Sequence, residues 1–154
     1  MSNETWKKHI VNAINEAYDG TGGIYLDSGT NLLAELGALN GTQASTVLPG
    51  AGNSVANQVR HLLTTVRMHE PQFNGGDYPE LDWGADWSEI DLSDPEWQEL
   101  VKTFAATRET LIGWVTSPTV EENDDYVGAA LMVATHHAYH VGQIRHAAGY
   151  AAQQ

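Results

Sequence analysis

The chain has 154 residues, enough for one domain with a real core and too few for two comfortable ones. It contains no cysteine, which excludes a disulfide framework, a thiolate metal site and a cysteine nucleophile. Twenty acidic residues against seven Lys plus Arg give a formal net charge of −13, a surface that repels phosphate backbones, so nucleic-acid binding is set aside.

A single domain over residues 1–154 is expected. Met1-Ser2-Asn3-Glu4-Thr5 lacks the basic and apolar segments of a signal peptide, and no apolar run reaches membrane-spanning length without polar interruption. The expectation is a soluble cytoplasmic protein without membrane contact.

From about Glu4 to Tyr18, the residues Trp6, Ile10, Ala13, Ile14 and Ala17 recur at helical spacing, and Asp19-Gly20-Thr21-Gly22-Gly23 stops the run with turn chemistry. A short Ile24-Tyr25-Leu26 run and a break at Asp27-Ser28-Gly29 follow. Leu32, Leu33, Leu36 and Leu39 then suggest a short helix, with Gly41 as its terminator. Thr46 to Gly52 reads as a loop by its Pro and Gly content.

Asn53 or Ser54 can cap the next helix, which runs to about Gln72 on a stripe of Val55, Val59, Leu62, Leu63 and Val66. His61 lies off that stripe, on a polar flank with Asn57, Thr64, Thr65 and Met68. Its local context is that of a solvated histidine unless the flank lines a cleft. Asn74 to Asp94 is a long acidic crossover carrying Trp83 and Trp87, and it reads either as a surface connection anchored by tryptophan or as a substrate lid.

Ser93-Asp94-Pro95-Glu96 is a strong helix start, with Pro in the first turn and Ser93 and Glu96 at capping-box spacing. Trp97, Leu100, Val101, Phe104, Leu111, Ile112 and Val115 continue it as one stripe, closed by Ser117-Pro118. Glu121-Glu122-Asn123-Asp124-Asp125 puts carboxylates near the start of the last helix, where the dipole favours them. That helix is an apolar, turn-free run from about Val127 to Ala152. Four long helices, one short one and no convincing strand predict an all-α bundle.

The last helix carries His136-His137-Ala138-Tyr139-His140-Val141-Gly142-Gln143-Ile144. At roughly 100° per residue, His136 and His140 are one turn apart and point the same way, sharing a face with Ala129, Met132, Val133, Gln143, Ile144 and Ala147. Two inward imidazoles need partners, and either a metal ion satisfies both or one is a hydrogen-bonded core residue and the other incidental. No Glu stands between them, so the general base of an HExxH protease is missing and peptide hydrolysis is set aside.

This segment resembles the His-x-x-x-His-x-Gly-Gln-Ile motif on the last long helix of the DinB/YfiT-like family of metal-dependent proteins. Asn53-Ser54-Val55-Ala56-Asn57-Gln58-Val59-Arg60-His61-Leu62 is similar to the family's Ser-containing helix start and His-Leu pair. The Asp82-Trp83 and Asp86-Trp87 crossover and Pro95-Glu96-Trp97 add a less specific likeness. The resemblance implies a four-helix, up-down-down-up bundle with an additional short helix. It implies one divalent metal per chain, zinc or nickel first and iron or manganese next, held by His61, His136 and His140. His137 is the rival ligand, although on a helix it points about 100° away from His136. Asn57 and Gln143 are candidates to orient the imidazoles.

By resemblance the function is that of a metal-dependent S-transferase using a low-molecular-weight thiol such as bacillithiol or mycothiol, with hydrolysis as the variant in the same class. The alternative is a non-catalytic helical module that binds a small ligand or a partner. His137, His69 and Glu70 are available for proton transfer, but nothing in the sequence brings them to a metal, and no general base is assigned. The resemblance also implies a homodimer; Trp6, Trp114, Tyr139 and Tyr150 fit either its interface or the core.

Overall fold

The computed structural model describes residues 3–23, 25–117 and 124–154. Ile24, Pro118 and Glu121-Glu122-Asn123, which entered the sequence reading, lie outside the described residues. Within them the chain forms seven helices and no strand: α1 (Asn3–Asp19), α2 (Leu32–Gly37), α3 (Gly41–Ser45), α4 (Val55–Asn74), α5 (Trp83–Asp86), α6 (Asp94–Thr116) and α7 (Asp124–Ala151). None is long and apolar enough to cross a membrane.

α1 ends where Gly20 takes φ +76, a conformation that costs glycine little. A side chain there would also drive into the Thr30 carbonyl, since a Cβ would lie 1.7 Å from its oxygen. The loop beyond is pulled back onto α1 by Glu16, fully buried, whose Oε1 accepts the backbone N–H groups of Tyr25 (2.8 Å) and Leu26 (2.6 Å). Burying a carboxylate is costly, and these charge-assisted bonds offset the cost.

The segment after α2 departs from expectation. Gly41 does not terminate the leucine helix; it opens α3, because Asn40 caps that turn and forms a capping box with Gln43. The glycine is required by contact: Asp94 Oδ1 accepts its N–H at 2.9 Å, and an added Cβ would lie 2.1 Å from the Leu92 carbonyl oxygen. α3 is thereby seated on the start of α6.

Ser54 caps α4, with its side chain accepting from the N–H of Asn57 and the Asn57 amide oxygen accepting from the N–H of Ser54. α6 starts as expected, with Glu96 accepting from both the backbone N–H and the hydroxyl of Ser93. Its Trp97, Val101, Phe104, Leu111 and Val115 are buried, and the Trp97 indole N–H donates to the Leu36 carbonyl (3.1 Å). α7 begins with Asp124 and Asp125 in its first turn.

The four longest helices pack around the core with α1 against α6 and α7, and α4 against α6 and α7. Side-chain pairs fix their directions. Gln58 meets His140, Thr65 meets His136 and Phe73 meets Tyr126, so α4 and α7 run in opposite senses. Trp6 meets Tyr126 and Tyr18 meets His137, so α1 and α7 run in the same sense. Asn15 bonds Arg108 while Tyr18 stacks on Phe104, so α1 and α6 oppose one another. Trp114 is buried against Phe73 (ring centroids 5.0 Å apart), Trp6 is half-buried, and Tyr139 is exposed.

Helix propensity alone favours Ala over Gly at position 41 by up to about 1 kcal/mol. The clash with immovable backbone decides otherwise, and Gly41→Ala is expected to destabilise the protein by about 1–3 kcal/mol, read from urea unfolding midpoints.

Candidate metal centre

His61 on α4 and His136 and His140 on α7 converge, each offering one ring nitrogen to a set whose atoms all lie within 4.8 Å of one another. The Nε2 atoms of His61 and His136 are 3.2 Å apart. That is close to the separation of about 3.4 Å expected for two nitrogens bound at about 2.1 Å to one tetrahedral ion. Among the described residues this is the only such group of three.

Two of the three rings are supported from behind, at their outer nitrogens. The Nδ1 of His61 faces Asp86 Oδ2 at 3.2 Å, and Thr64 donates its hydroxyl to Asp86 Oδ1 at 2.7 Å. Asp86 is 3% exposed, so its carboxylate is committed to these partners. On the other side, Asn53 Nδ2 donates to the Ala51 carbonyl, Gln58 Nε2 donates to Asn53 Oδ1 (3.0 Å), and Gln58 Oε1 lies 2.6 Å from His140 Nδ1. This chain of amides leaves Gln58 only an acceptor for His140, so His140 carries its proton on Nδ1. At His61 the Asp86 carboxylate can only accept, so Nδ1 is likewise the nitrogen that carries a proton. With Nδ1 engaged on each of these rings, Nε2 is the nitrogen left for an ion, the arrangement that metal-ligating histidines use.

Asp86 reaches His61 because the crossover is pinned to α4. Asn57 Nδ2 donates to the carbonyls of Asp86 (2.8 Å) and Ser88 (2.9 Å), and Arg60 Nη2 donates to the same two (2.8 and 3.1 Å). Asp82 starts α5 by accepting from the N–H groups of Gly84 and Ala85. Trp83 and Trp87 then stand beside His61, with ring centroids 5.7 and 4.7 Å away. Thr65, buried between the two long helices, donates to the His61 carbonyl (3.0 Å) and sits 3.4 Å from His136 Nε2.

Several expectations need correction. The polar flank holding His61 lines the junction of α4, α5 and α7, so His61 is not a solvated surface histidine; its side chain is 12% exposed. Met132, expected on the inward face with His136 and His140, is 47% exposed. The buried arc of α7 runs through Tyr126, Val133, His137, Ile144 and Ala148, so it is centred near His137. His136 sits on its edge and Met132 beyond it. His137 is a core residue: it bonds the Val133 carbonyl through Nδ1 (2.9 Å), stacks on Tyr18, and has a buried Nε2 with no hydrogen-bond partner.

Asn57 does not orient an imidazole directly; it caps α4 and holds the carbonyls around Asp86. Gln143 turns its amide nitrogen to the Tyr139 hydroxyl (2.9 Å) and also acts on His140, whose protonated form its side chain favours. The Nδ1 atoms of His61 and His140 are held by Asp86 and Gln58. Gln58 had a detectable signal, three residues before His61 on the same flank; Asp86 had only its place in the repeated Asp-Trp pairs. Of the proton-transfer candidates, His69 is buried, with Nδ1 on Gln72 Oε1, and lies close enough to His136 to bias its protonation, while Glu70 is exposed.

Burial disfavours the charged forms. It pushes His140 down to about 3, helped by His136 and His61, and His137 down to about 4. His136 is lowered by the same burial and by His61 and His69. Neutral imidazoles are what a cation requires. No family model, curated protein or solved structure matches the chain.

These shifts fix a pH dependence for the metal-free protein. Below the unfolded histidine value of about 6.5, the unfolded chain binds protons that the folded chain refuses. Stability is therefore full above that pH and falls as pH drops toward the folded values. Urea midpoints measured in chelator are expected to decline steadily from pH 7.5 to pH 5, and His137→Phe is expected to flatten part of that slope.

Proposed function

We propose that this chain is a divalent-metal-dependent enzyme whose ion, zinc or nickel in the first place, is held by His61, His136 and His140, and that it transfers a low-molecular-weight thiol to an electrophile. The observation that carries the metal reading is the convergence of three imidazoles, two of them backed at Nδ1 by Asp86 and Gln58. The thiol chemistry rests on the motif likeness to the DinB/YfiT-like proteins. The helix directions agree with that likeness: α1 and α7 run one way and α4 and α6 the other, as an up-down-down-up bundle requires.

A bound ion of this kind supplies Lewis acidity that lowers the pKa of a coordinated thiol or water. The chain's own residues do the rest. Asp86 and Gln58 hold two imidazoles in register through their Nδ1 atoms. Three protein nitrogens leave coordination positions for a substrate, and the edge position of His136 on α7 keeps one side of the cluster open to it. With a net charge of −13, the protein favours thiols that carry little negative charge.

Elemental analysis of untagged protein tests the metal reading. About one ion per chain is expected, lost in His61→Ala, His136→Ala and His140→Ala and kept in His137→Phe. Retention without His61 would overturn the ligand set. Absence of metal even after reconstitution would leave the non-catalytic binding module as the account.

Asp86→Asn keeps the shape but removes the charge behind His61. Metal affinity is expected to fall by about 10–100-fold, measured by competition with a chromogenic chelator.

A further inference from the structure

Three aromatic side chains surround the histidine cluster while keeping much of their surface in water. Trp83 is 38% exposed, Trp87 39% and Tyr139 63%. Each touches a ligand imidazole: the two indoles flank His61, and the Tyr139 ring meets His140 edge-on with centroids 5.0 Å apart. Core packing does not explain them, because a buried tryptophan in this fold, Trp97, is fully enclosed. Solubility does not explain them either, since large apolar rings in water cost free energy. Their placement is also built: Asp82 caps the turn that bears Trp83, Asn57 and Arg60 clamp the carbonyls on either side of Trp87, and Gln143 donates to the Tyr139 hydroxyl.

The segment that bears the two tryptophans carries charge of one sign. Residues 77–91 carry Asp77, Glu80, Asp82, Asp86, Glu89 and Asp91 and no Lys, Arg or His. A cation leans on the segment, Arg60, which donates to the Asp86 and Ser88 carbonyls and leaves the acidic groups in excess. Exposed π-surface rewards a planar apolar group, and the carboxylates turn away anions.

We infer that Trp83, Trp87 and Tyr139 form an aromatic mouth over the three-histidine centre that selects an uncharged aromatic substrate group and excludes anionic ones. This rests on the metal-centre reading and names the substrate class of that site. The mouth binds the ring by stacking and edge contacts, and the metal-facing end of the substrate is thereby directed toward His61 and His140.

Hydroxamates, which bind divalent ions, separate the two parts of the site. Metal content is measured first. Zinc-loaded protein is then titrated calorimetrically with acetohydroxamate, benzohydroxamate and 4-carboxybenzohydroxamate. Benzohydroxamate is expected to bind at least about tenfold tighter than acetohydroxamate, and the carboxylated probe at least about tenfold weaker than benzohydroxamate at low salt. Trp83→Ala and Tyr139→Ala, the latter on an exposed helix surface, are expected to shrink the aryl preference while metal content and acetohydroxamate affinity hold. One metal per chain with no aryl preference, or a preference unchanged in the variants, overturns the mouth and leaves the metal centre standing. A chain that takes up no metal overturns both, and the metal measurement shows that the fault lies with the centre.

Discussion

The Asp86 carboxylate is the point at which the crossover, the polar flank of α4 and the histidine cluster are joined. It is buried, and a buried carboxylate persists only when its oxygens are satisfied. Thr64 and His61 satisfy them, both from α4. The same residue's carbonyl is held by Asn57 and Arg60, from the same helix. One turn of crossover is thus fastened through main chain and side chain together, and the orientation of His61 follows from it. The two tryptophans of α5 and its boundary take their positions from the same fastening.

The three imidazoles are chemically unequal because their surroundings are. His61 is backed by a carboxylate, which strengthens it as a donor. His140 is backed by a neutral amide relay from Asn53 through Gln58. His136 stands at the edge of the buried arc of α7 with the Thr65 hydroxyl beside it. Burial disfavours positive charge on His136 and His140, so those two rings hold a second proton less readily. His137 illustrates the contrast. The same residue type, one position along the helix, faces Tyr18 and Phe104 and serves the core.

The crossover resolves the choice between surface connection and lid in an intermediate way. It is tied down at Asp86 and Ser88, yet its tryptophans remain partly in water beside the cluster. A segment that only connected two helices would have no need of exposed indoles, and a segment that only packed would have buried them. Every charged residue in it is acidic, so it brings the negative charge of the whole chain beside the histidines.

The long helices were legible in the sequence because each one's apolar period reports its own buried face: Trp97 to Val115 for α6, Val55 to Val66 for α4. The caps at Ser54 and Ser93 were legible because capping is local chemistry between residues three apart. The facing of His136 and His140 was legible for the same reason, being one turn apart. His61 could be linked to them only through the likeness of motifs, since its own helix gave no sign of what covers its flank. The need for glycine at position 41, Met132 lying in water, and Asp86 and Gln58 orienting the imidazoles were decided by the tertiary structure alone. Each depends on which distant segment lies opposite: Leu92 and Asp94 for Gly41, the width of the arc covered by α1 and α4 for Met132, and α5 and α7 for the flank of α4. Periodicity describes one helix against an unspecified interior, whereas a site is made where particular faces of different elements meet.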